Sequence, residues 1–362
     1  MVLDWVSLSL APGLGLTGFW RLVGHFGSPG RVLSAPQAQR QKVHGIQPRQ
    51  IAALGSTEEL YQRGRRELEL LGQRQCLAVD FTDASYPELL RVLPDPPPVL
   101  YIHGRRELLA SSCLAIVGSR AATAYGKRTC RSLATEISPF LTIVSGMALG
   151  IDTEAHAGAL AAGGGTVAVL GTGLDIAYPE HNRRLYEQIG DRGLLVSEYP
   201  LGTGPDGYRF PARNRIIAGI SSGVLVVEAA RRSGSLITAQ IALDKGREVF
   251  AVPGQIDSMK SEGTHWLLKQ GAKLVQSAQD VLEELCPDSA LLGTPKDKGG
   301  SLPPALDPDA RRLLSCIEPY PRAREQIGID AGVAPARLNQ LLLLLEIEGL
   351  VEILPGDTIR RL

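Results

Sequence analysis

The sequence predicts an α/β fold with a doubly wound parallel sheet, preceded by helices and followed by three helices and a hairpin. Three observations support this prediction. Short apolar runs rich in β-branched residues recur from residue 112 onwards, and helical stretches separate them. The runs that end at residues 117, 144 and 170 lead into Gly, Ser or Thr turns, which leave room for a ligand to approach backbone amides, whereas the run that ends at 227 leads into Glu228. The regions before and after lack this alternation.

The strands of the predicted sheet are short, continuously apolar runs, which indicates that they are buried on both faces. The candidates are residues 114–117, 141–144, 167–170, 194–196, 224–227, 249–252 and 273–275. Helices are predicted between them, for example at 129–136, 153–161 and 180–188. We expect this sheet to occupy residues 111–285, with ligands bound beyond the carboxyl ends of its strands.

The 362 residues exceed one ordinary core, so two or three domains are expected. No apolar run reaches the roughly 18 residues of a membrane span, and no export signal is evident at the start. The five cysteines are far apart and form no C-x-x-C motif. We therefore expect a cytoplasmic protein with free thiols and no membrane partner.

Residues 1–70 are predicted to form a helical domain of the helix-hairpin-helix or SAM-like kind, with a helix, a tight turn at Gly27–Pro29 and another helix. A glycine hairpin can hold a nucleic-acid backbone through its amides. The turn at 12–15 has no flanking Lys, which favours packing over DNA contact. Residues 71–110 are interpreted as a connector, because Asp95–Pro98 is a stiff extended segment.

The C-terminal region is predicted to be a small winged-helix domain at 305–362, after a linker at 286–304. Its helices are expected at 309–316, 322–329 and 335–348, with a hairpin after them. A winged helix often binds duplex DNA, but these 58 residues hold 7 bases and 9 acids. Because acids repel phosphate, we favour a protein partner for this domain.

Positive charge is concentrated in two stretches, although the whole chain is neutral. Residues 120–131 hold four bases and no acid, and residues 209–232 hold five bases and one acid, Glu228. The second stretch runs from a helix through a buried strand to Ser233-Gly234-Ser235, which begins another helix. Gly, Ser and Arg at helix N-termini favour an anionic, phosphate-bearing ligand.

The most specific signal is Phe210-Pro211-Ala212-Arg213-Asn214-Arg215. Guanidinium groups match phosphate oxygens, and Asn214 can cap a helix or touch a base edge. Tyr208 and Phe210 are candidates for stacking on an unpaired base, with core packing as the alternative for Phe210. Arg213 and Arg215 can face one anion only if they lie in the first turn of the helix or just before it.

Other chemistries find little support. No G-x-G-x-x-G opens a helix and no phosphate-binding loop of the G-x-x-x-x-G-K-[ST] type is present, so neither a dinucleotide cofactor nor nucleotide hydrolysis is expected. Asp152 and His156 could share a metal, but a helix cap and a packed histidine explain both. Asp175, Tyr178 and His181 have no accompanying nucleophile, which favours a structural turn. We expect no cofactor, no metal and no catalytic residue.

Six ordered motifs together resemble the DNA-processing protein A (DprA/Smf) family. They are Gly118-Ser119-Arg120 and residues 145–152, 171–179, 210–219, 226–239 and 250–254. The resemblance spans essentially the whole chain and implies a helical N-terminal domain, an extended Rossmann-like domain and a winged helix. One departure is Gly263-Thr264-His265-Trp266, where many members have Asn near position 265.

The family resemblance also implies a function. It implies a non-enzymatic homodimer that binds single-stranded DNA, protects it and loads the recombinase RecA during natural transformation. It implies that Arg120 and the cluster Arg213, Asn214 and Arg215 line the DNA pocket, with Lys245 as a further contact. The full set of candidate DNA-binding residues is Ser119, Arg120, Gly146, Tyr208, Phe210, Arg213, Asn214, Arg215, Ser233, Gly234, Ser235 and Lys245.

An enzyme is the rival interpretation. Related Rossmann-like nucleotide phosphoribohydrolases split nucleoside monophosphates and carry P-G-G-x-G-T-x-x-E. The comparable turn here is Ser233-Gly234-Ser235-Leu236-Ile237-Thr238, followed by Ala239, Gln240 and Ile241. The carboxylate that such hydrolysis needs is missing from that place.

Overall fold

A computed structural model describes residues 1–52, 54–287, 307–318, 320–348, 350–354 and 356–361. The chain divides into two compact units, Met1–Leu292 and Gly293–Leu362. Most of the predicted linker lies outside the described residues, and the domain boundaries remain predictions. Within the described ranges, no helix is both long and apolar enough to cross a membrane.

The first unit begins with helices, as predicted. Their bounds are Val2–Ser9 (α1), Gly15–Phe26 (α2), Pro29–Ser34 (α3), Gln37–Arg40 (α4), Pro48–Ala52 (α5) and Thr57–Gln73 (α6). Gly27 caps the end of α2, and the Ser28 hydroxyl accepts a hydrogen bond from the Arg31 amide at the start of α3. Pro29 occupies the first position of α3, where its missing N–H costs nothing.

An aromatic cluster joins these helices to the sheet. Trp5, Phe19 and Trp20 pack against one another, and Phe81 contacts both tryptophans with ring centroids 6.0 and 4.7 Å away. The Trp20 indole donates a hydrogen bond to the Pro96 carbonyl at 2.8 Å. The helices and one face of the sheet therefore share a core.

The sheet has nine strands in the described part of the first unit, seven of them at the predicted places. The strands are Cys76–Asp80 (β1), Val99–Gly104 (β2), Cys113–Val117 (β3), Thr142–Ser145 (β4), Thr166–Leu170 (β5), Leu194–Ser197 (β6), Gly223–Val226 (β7), Glu248–Ala251 (β8) and Lys273–Leu274 (β9). Their order is β1-β2-β6-β5-β4-β3-β7-β8-β9. Strands β3 to β9 run parallel, which confirms the predicted fold class.

Strands β1 and β2 were not identified in the sequence, where their region is interpreted only as a connector. They pair antiparallel with each other, and β2 pairs antiparallel with β6. The prolines between them are part of the core, since Tyr86 donates to the Pro97 carbonyl and the Phe81 amide donates to Pro98. An exposed Leu77 in β1 weakens the apolar alternation that would have indicated a strand.

Helices cover both faces of the sheet. They are Glu88–Arg91 (α7), Ala124–Ile137 (α8), Ile151–Ala161 (α9), Arg183–Arg192 (α10), Arg209–Ile220 (α11), Gly234–Asp244 (α12), Glu262–Lys269 (α13) and Ala278–Leu285 (α14). One core lies beneath α11, α12 and α13, and another lies beneath α8, α9 and α14. Helix α11 begins two residues before Pro211, the first helical position that the sequence suggested.

The order of the strands reverses between β3 and β7. From β3 the chain moves outward through β4, β5 and β6, and then returns to place β7 on the other side of β3. The connections that leave β3 and β7 therefore diverge and open a crevice beyond their carboxyl ends. Ligands of open α/β sheets bind at such a switch point.

The second unit is a winged helix, as predicted. Its helices are Pro308–Cys316 (α15), Arg324–Ala331 (α16) and Pro335–Ile347 (α17), and its strands are Arg322–Ala323 (β10), Val351–Leu354 (β11) and Thr358–Arg361 (β12). Strand β12 lies between the other two. Leu314, Ile327, Leu341 and Ile359 belong to its core.

A buried histidine connects α9 with β5. His156 has no exposed surface, and its Nδ1 lies 2.8 Å from the Thr166 hydroxyl, which itself donates to the Ile143 carbonyl. Nδ1–H is therefore the donor of this pair. Burial, with a smaller contribution from the nearby Arg213 charge, lowers the pKa of His156 to about 3. The folded chain thus keeps this imidazole neutral.

We predict that His156 makes stability depend on pH. Between about pH 6.5 and pH 3 the unfolded chain binds a proton that the folded chain does not, so stability falls as pH falls. His156→Asn retains an N–H donor but does not titrate. In urea unfolding from pH 7 to pH 5, the stability of the parent relative to this variant should fall by up to about 1.4 kcal/mol per unit below pH 6.5. A difference that stays constant with pH would contradict this assignment.

Candidate functional site

A cavity of about 220 Å³ lies at the switch point, and we call it the central pocket. The loops after β3 and β4, the start of α9, the first half of α11 and the start of α12 surround it. Its lining residues are Val117, Gly118, Arg120, Ala148, Asp152, Phe210, Pro211, Arg213, Asn214, Ser233, Gly234, Ser235 and Thr238. The sheet therefore places the pocket where a parallel α/β fold binds ligands.

The N-terminus of α12 forms one wall. The Ser233 hydroxyl accepts a hydrogen bond from the Ser235 amide and lies 2.8 Å from the Ser235 hydroxyl, so Ser233 is the N-cap that the sequence indicated. Asn214 donates to the Gly234 carbonyl at 3.4 Å and so connects α11 with this turn. Hydroxyl groups at the positive end of a helix dipole suit an anion.

Arg213 lies in the floor of the pocket and is only 4% exposed. Its Nη1 donates to the Gly146 carbonyl at 2.8 Å and to the Val169 carbonyl. A Cβ at Gly146 would lie 2.5 Å from Arg213 Nη2, so this approach requires glycine. Gly146 therefore serves the site by accommodating Arg213, and it lines a smaller neighbouring cavity rather than the central pocket.

A carboxylate compensates this buried cation. Asp152 accepts hydrogen bonds from the Gly146 and Ala148 amides at 3.1 and 3.2 Å. Burial raises the pKa of Asp152, and the charge of Arg213 opposes that shift. Burial likewise lowers the pKa of Arg213 to about 10, with Asp152 opposing, so Arg213 remains a cation at neutral pH. The expected N-cap role of Asp152 is wrong, because Gly150 caps α9 and Asp152 is its second residue.

Arg120 is the accessible cation of the pocket. Its side chain is exposed, makes no ion pair with any described residue, and places its guanidinium 5.8 Å from the Phe210 ring centroid. The loop that carries it is fixed by Ser119, whose amide donates to the Glu228 carbonyl and whose carbonyl accepts from Ile151. Ser119 thus acts through its backbone and does not line the pocket.

The two aromatic candidates differ in position. Phe210 lines the pocket and stacks on Tyr178, with ring centroids 5.4 Å apart and the planes at 27°. Tyr208 is 65% exposed, lies outside the lining and packs beside Arg209. From the sequence, Tyr178 is expected only as part of a structural turn; its stacking on Phe210 joins residues far apart in the chain.

Arg215 is not brought to the pocket. It lies in the middle of α11, two residues and about 200° around the helix from Arg213. It pairs instead with Glu198 and, at 3.3 Å, with Asp95. Burial raises the pKa of Glu198, and Arg215 opposes this shift. Arg215 therefore fastens α11 to the segments that carry those two carboxylates.

Lys245 also lies away from the pocket. It caps the C-terminal end of α12, whereas the pocket is at the N-terminal end. The 11 residues of α12 separate the two ends by about 16 Å. Of the predicted residues, the structure gathers Arg120, Phe210, Arg213, Asn214, Ser233, Gly234 and Ser235 around one cavity. Asp152 and Thr238 also line this cavity, although neither is among the predicted binding residues.

The chain is similar to known protein families and to individual relatives. The family model for DNA recombination-mediator protein A matches residues 78–286, and the model for the DprA winged helix domain matches residues 299–357. Protein Smf of Synechocystis is 35% identical over 99% of this chain and 98% of its own length. DNA processing protein DprA of Streptococcus pneumoniae is 50% identical over 56% of this chain and 72% of its own length.

Two solved structures are similar. The X-ray structure of DprA from Streptococcus pneumoniae gives a TM-score of 0.70 at 37% identity, covering 78% of this chain and 98% of that one. A structure that concerns the single-stranded DNA binding mode of DNA processing protein A from Helicobacter pylori gives a TM-score of 0.54 at 32% identity. It covers 59% of this chain and 97% of that one. The fold, both family models and the full-length relative agree: this chain belongs to the DprA/Smf family of DNA recombination-mediator proteins.

Proposed function

We propose that this protein binds single-stranded DNA in the central pocket and acts as a recombination mediator without catalysis. One observation carries the proposal: the accessible Arg120 and the N-terminus of α12 line the same cavity at the switch point. Such a site suits phosphate, which carries no sequence information, so sequence preference should be weak. The pocket is too small for a duplex, and its Phe210 can contact an unstacked base.

The proposed role is that of the family. The protein protects incoming single strands and loads RecA onto them in the cytoplasm during natural transformation, acting as a homodimer. The single-stranded DNA binding of the Helicobacter pylori relative supports the first part of this role. The family membership supports the rest.

For the winged helix we propose a protein partner rather than DNA. Arg337, a cation of α17 that could contact a DNA groove, is paired with Asp307. The same helix exposes Leu343 and Leu344, with exposed fractions of 56% and 42%. Exposed leucines on a helix suit an apolar partner surface better than a phosphate backbone.

The phosphoribohydrolase alternative receives little support from the pocket. Among the lining residues Asp152 is the only carboxylate, and two amides and Arg213 already engage it. Ile241 stands where the hydrolase motif has its acid. Release of free base from a nucleoside monophosphate by the purified protein would favour the enzyme instead.

We predict that Arg120→Ala weakens binding of a labelled oligo-dT about tenfold, because a charged hydrogen bond to phosphate is lost. The slope of log K against log salt should fall by about 0.7, the value for one phosphate contact on a single strand. Fluorescence anisotropy at several salt concentrations measures both quantities. Arg63→Ala removes from α6 an exposed cation that forms no ion pair with a described residue; it is the matched control and should bind like the parent. Equal affinity and slope in both variants would contradict the pocket assignment.

Arg213→Ala should behave differently from Arg120→Ala. It leaves two carbonyls and the Asp152 carboxylate buried without their cation, so the free energy of unfolding should fall by about 3–5 kcal/mol. Urea unfolding measures this loss, and Arg120→Ala should change stability by less than about 0.5 kcal/mol. Loss of DNA binding in an Arg213 and Arg215 double variant therefore cannot be assigned to lost phosphate contacts. A fully stable Arg213→Ala protein would show that Arg213 is not part of the scaffold.

A further inference from the structure

A second cavity, of about 420 Å³, lies beside the central pocket, and we call it the lateral cavity. Its lining residues are Arg231, Arg232, Ser233, Leu236, Ile237, Gln240 and Trp266. Ser233 lines both cavities, so a ligand that leaves the central pocket past the start of α12 reaches the lateral cavity next.

Close packing of α13 places Trp266 there. The Gly263 amide donates to the Ala229 carbonyl at 2.8 Å, and a Cβ at Gly263 would lie 2.7 and 2.8 Å from the Ala229 and Ala230 carbonyls. The first turn of α13 therefore rests directly on the segment that leads into Arg231. Trp266 is 40% exposed, whereas its neighbour Leu267 is 1% exposed. The indole N–H has no hydrogen-bond partner among the described residues.

The charge of this cavity is not neutralised. Arg231 and Arg232 are exposed, and neither forms an ion pair within the described part of the chain. Glu228, the acid nearest to them in sequence, is 5% exposed and accepts hydrogen bonds from the Thr123 amide and hydroxyl. Two guanidinium groups therefore face solvent beside an open aromatic ring.

We propose that the lateral cavity is a second nucleotide subsite for the strand held in the central pocket. A base stacks on the Trp266 ring, and the adjacent phosphate lies against Arg231 and Arg232. Every base has a π-face, so this subsite tolerates any sequence, as the central pocket does. Arg231 and Arg232, which have no ion pair among the described residues, favour a polyanionic DNA strand over an apolar protein surface as the occupant. The inference rests on the proposed function.

The test uses tryptophan emission of the full chain during titration with oligo-dT. Trp5 is 6% exposed and Trp20 donates to Pro96, so Trp266 is the tryptophan that a base can reach. We expect DNA to quench the parent and not Trp266→Phe, which should keep its affinity within about threefold because phenylalanine still stacks. Trp266→Ala should lose about tenfold in affinity. Arg231→Ala with Arg232→Ala should lower the salt slope by about 1.4.

Controls separate this proposal from the proposed function. Phe140→Ala removes another exposed aromatic ring, which lies just before β4 at the amino-terminal end of the strands, away from the pocket at their carboxyl ends, and should bind DNA like the parent. If the parent binds through Arg120 but Trp266→Ala and Trp266→Phe bind and quench like the parent, the subsite is wrong and the central pocket stands. Unchanged DNA affinity with a changed mass by light scattering in Trp266→Ala would also overturn it, in favour of a protein contact. A parent that binds no single-stranded DNA removes the proposed function itself.

Discussion

The buried guanidinium of Arg213 is the interaction on which the site depends. It joins the ends of β4 and β5 to α11 through the Gly146 and Val169 carbonyls, and it is compensated by Asp152 at the start of α9. These contacts cross the sheet where its parallel strands end, and there neighbouring backbone groups lose their partners in the ladder. A buried cation with these partners fixes the ends of β4 and β5 and the start of α9 against α11, and so forms the floor of the cavity that Arg120 and the α12 N-terminus also line.

Arg213 and Arg215, which are close together in sequence, thus differ in role from Arg120, which faces the pocket. Arg213 is buried and donates to two carbonyls, Arg215 is buried and paired with two carboxylates, and Arg120 is exposed with no ion pair within the described chain. A cation held by carbonyls and carboxylates is costly to redirect, while a solvated one can exchange water for phosphate. The buried charge of Arg213 and the accessible charge of Arg120 together make a site that is preorganised and still open to a ligand.

Much of this could be predicted from sequence, because its determinants are local. The seven parallel strands follow from short apolar runs, and the start of α12 follows from Ser233 as an N-cap. The partners of Arg213 and Arg215 could not be predicted, since Gly146 and Asp95 lie far away in the chain and meet them only in the fold. The antiparallel edge of β1 and β2 was hidden by prolines that belong to the core. The position of Lys245 could have been predicted, because a helix that begins at Gly234 and ends near Gly246 carries it to the far end.

The most direct test of the central pocket is amide hydrogen exchange of the full chain with and without a saturating oligo-dT. If the strand lies in this pocket, exchange should slow at residues 118–121 and 233–238 and stay unchanged in α6. These two segments are separate in sequence and meet only at the switch point, so their joint protection reports on this cavity. Protection confined to the winged helix, with both segments unaffected, would contradict the account.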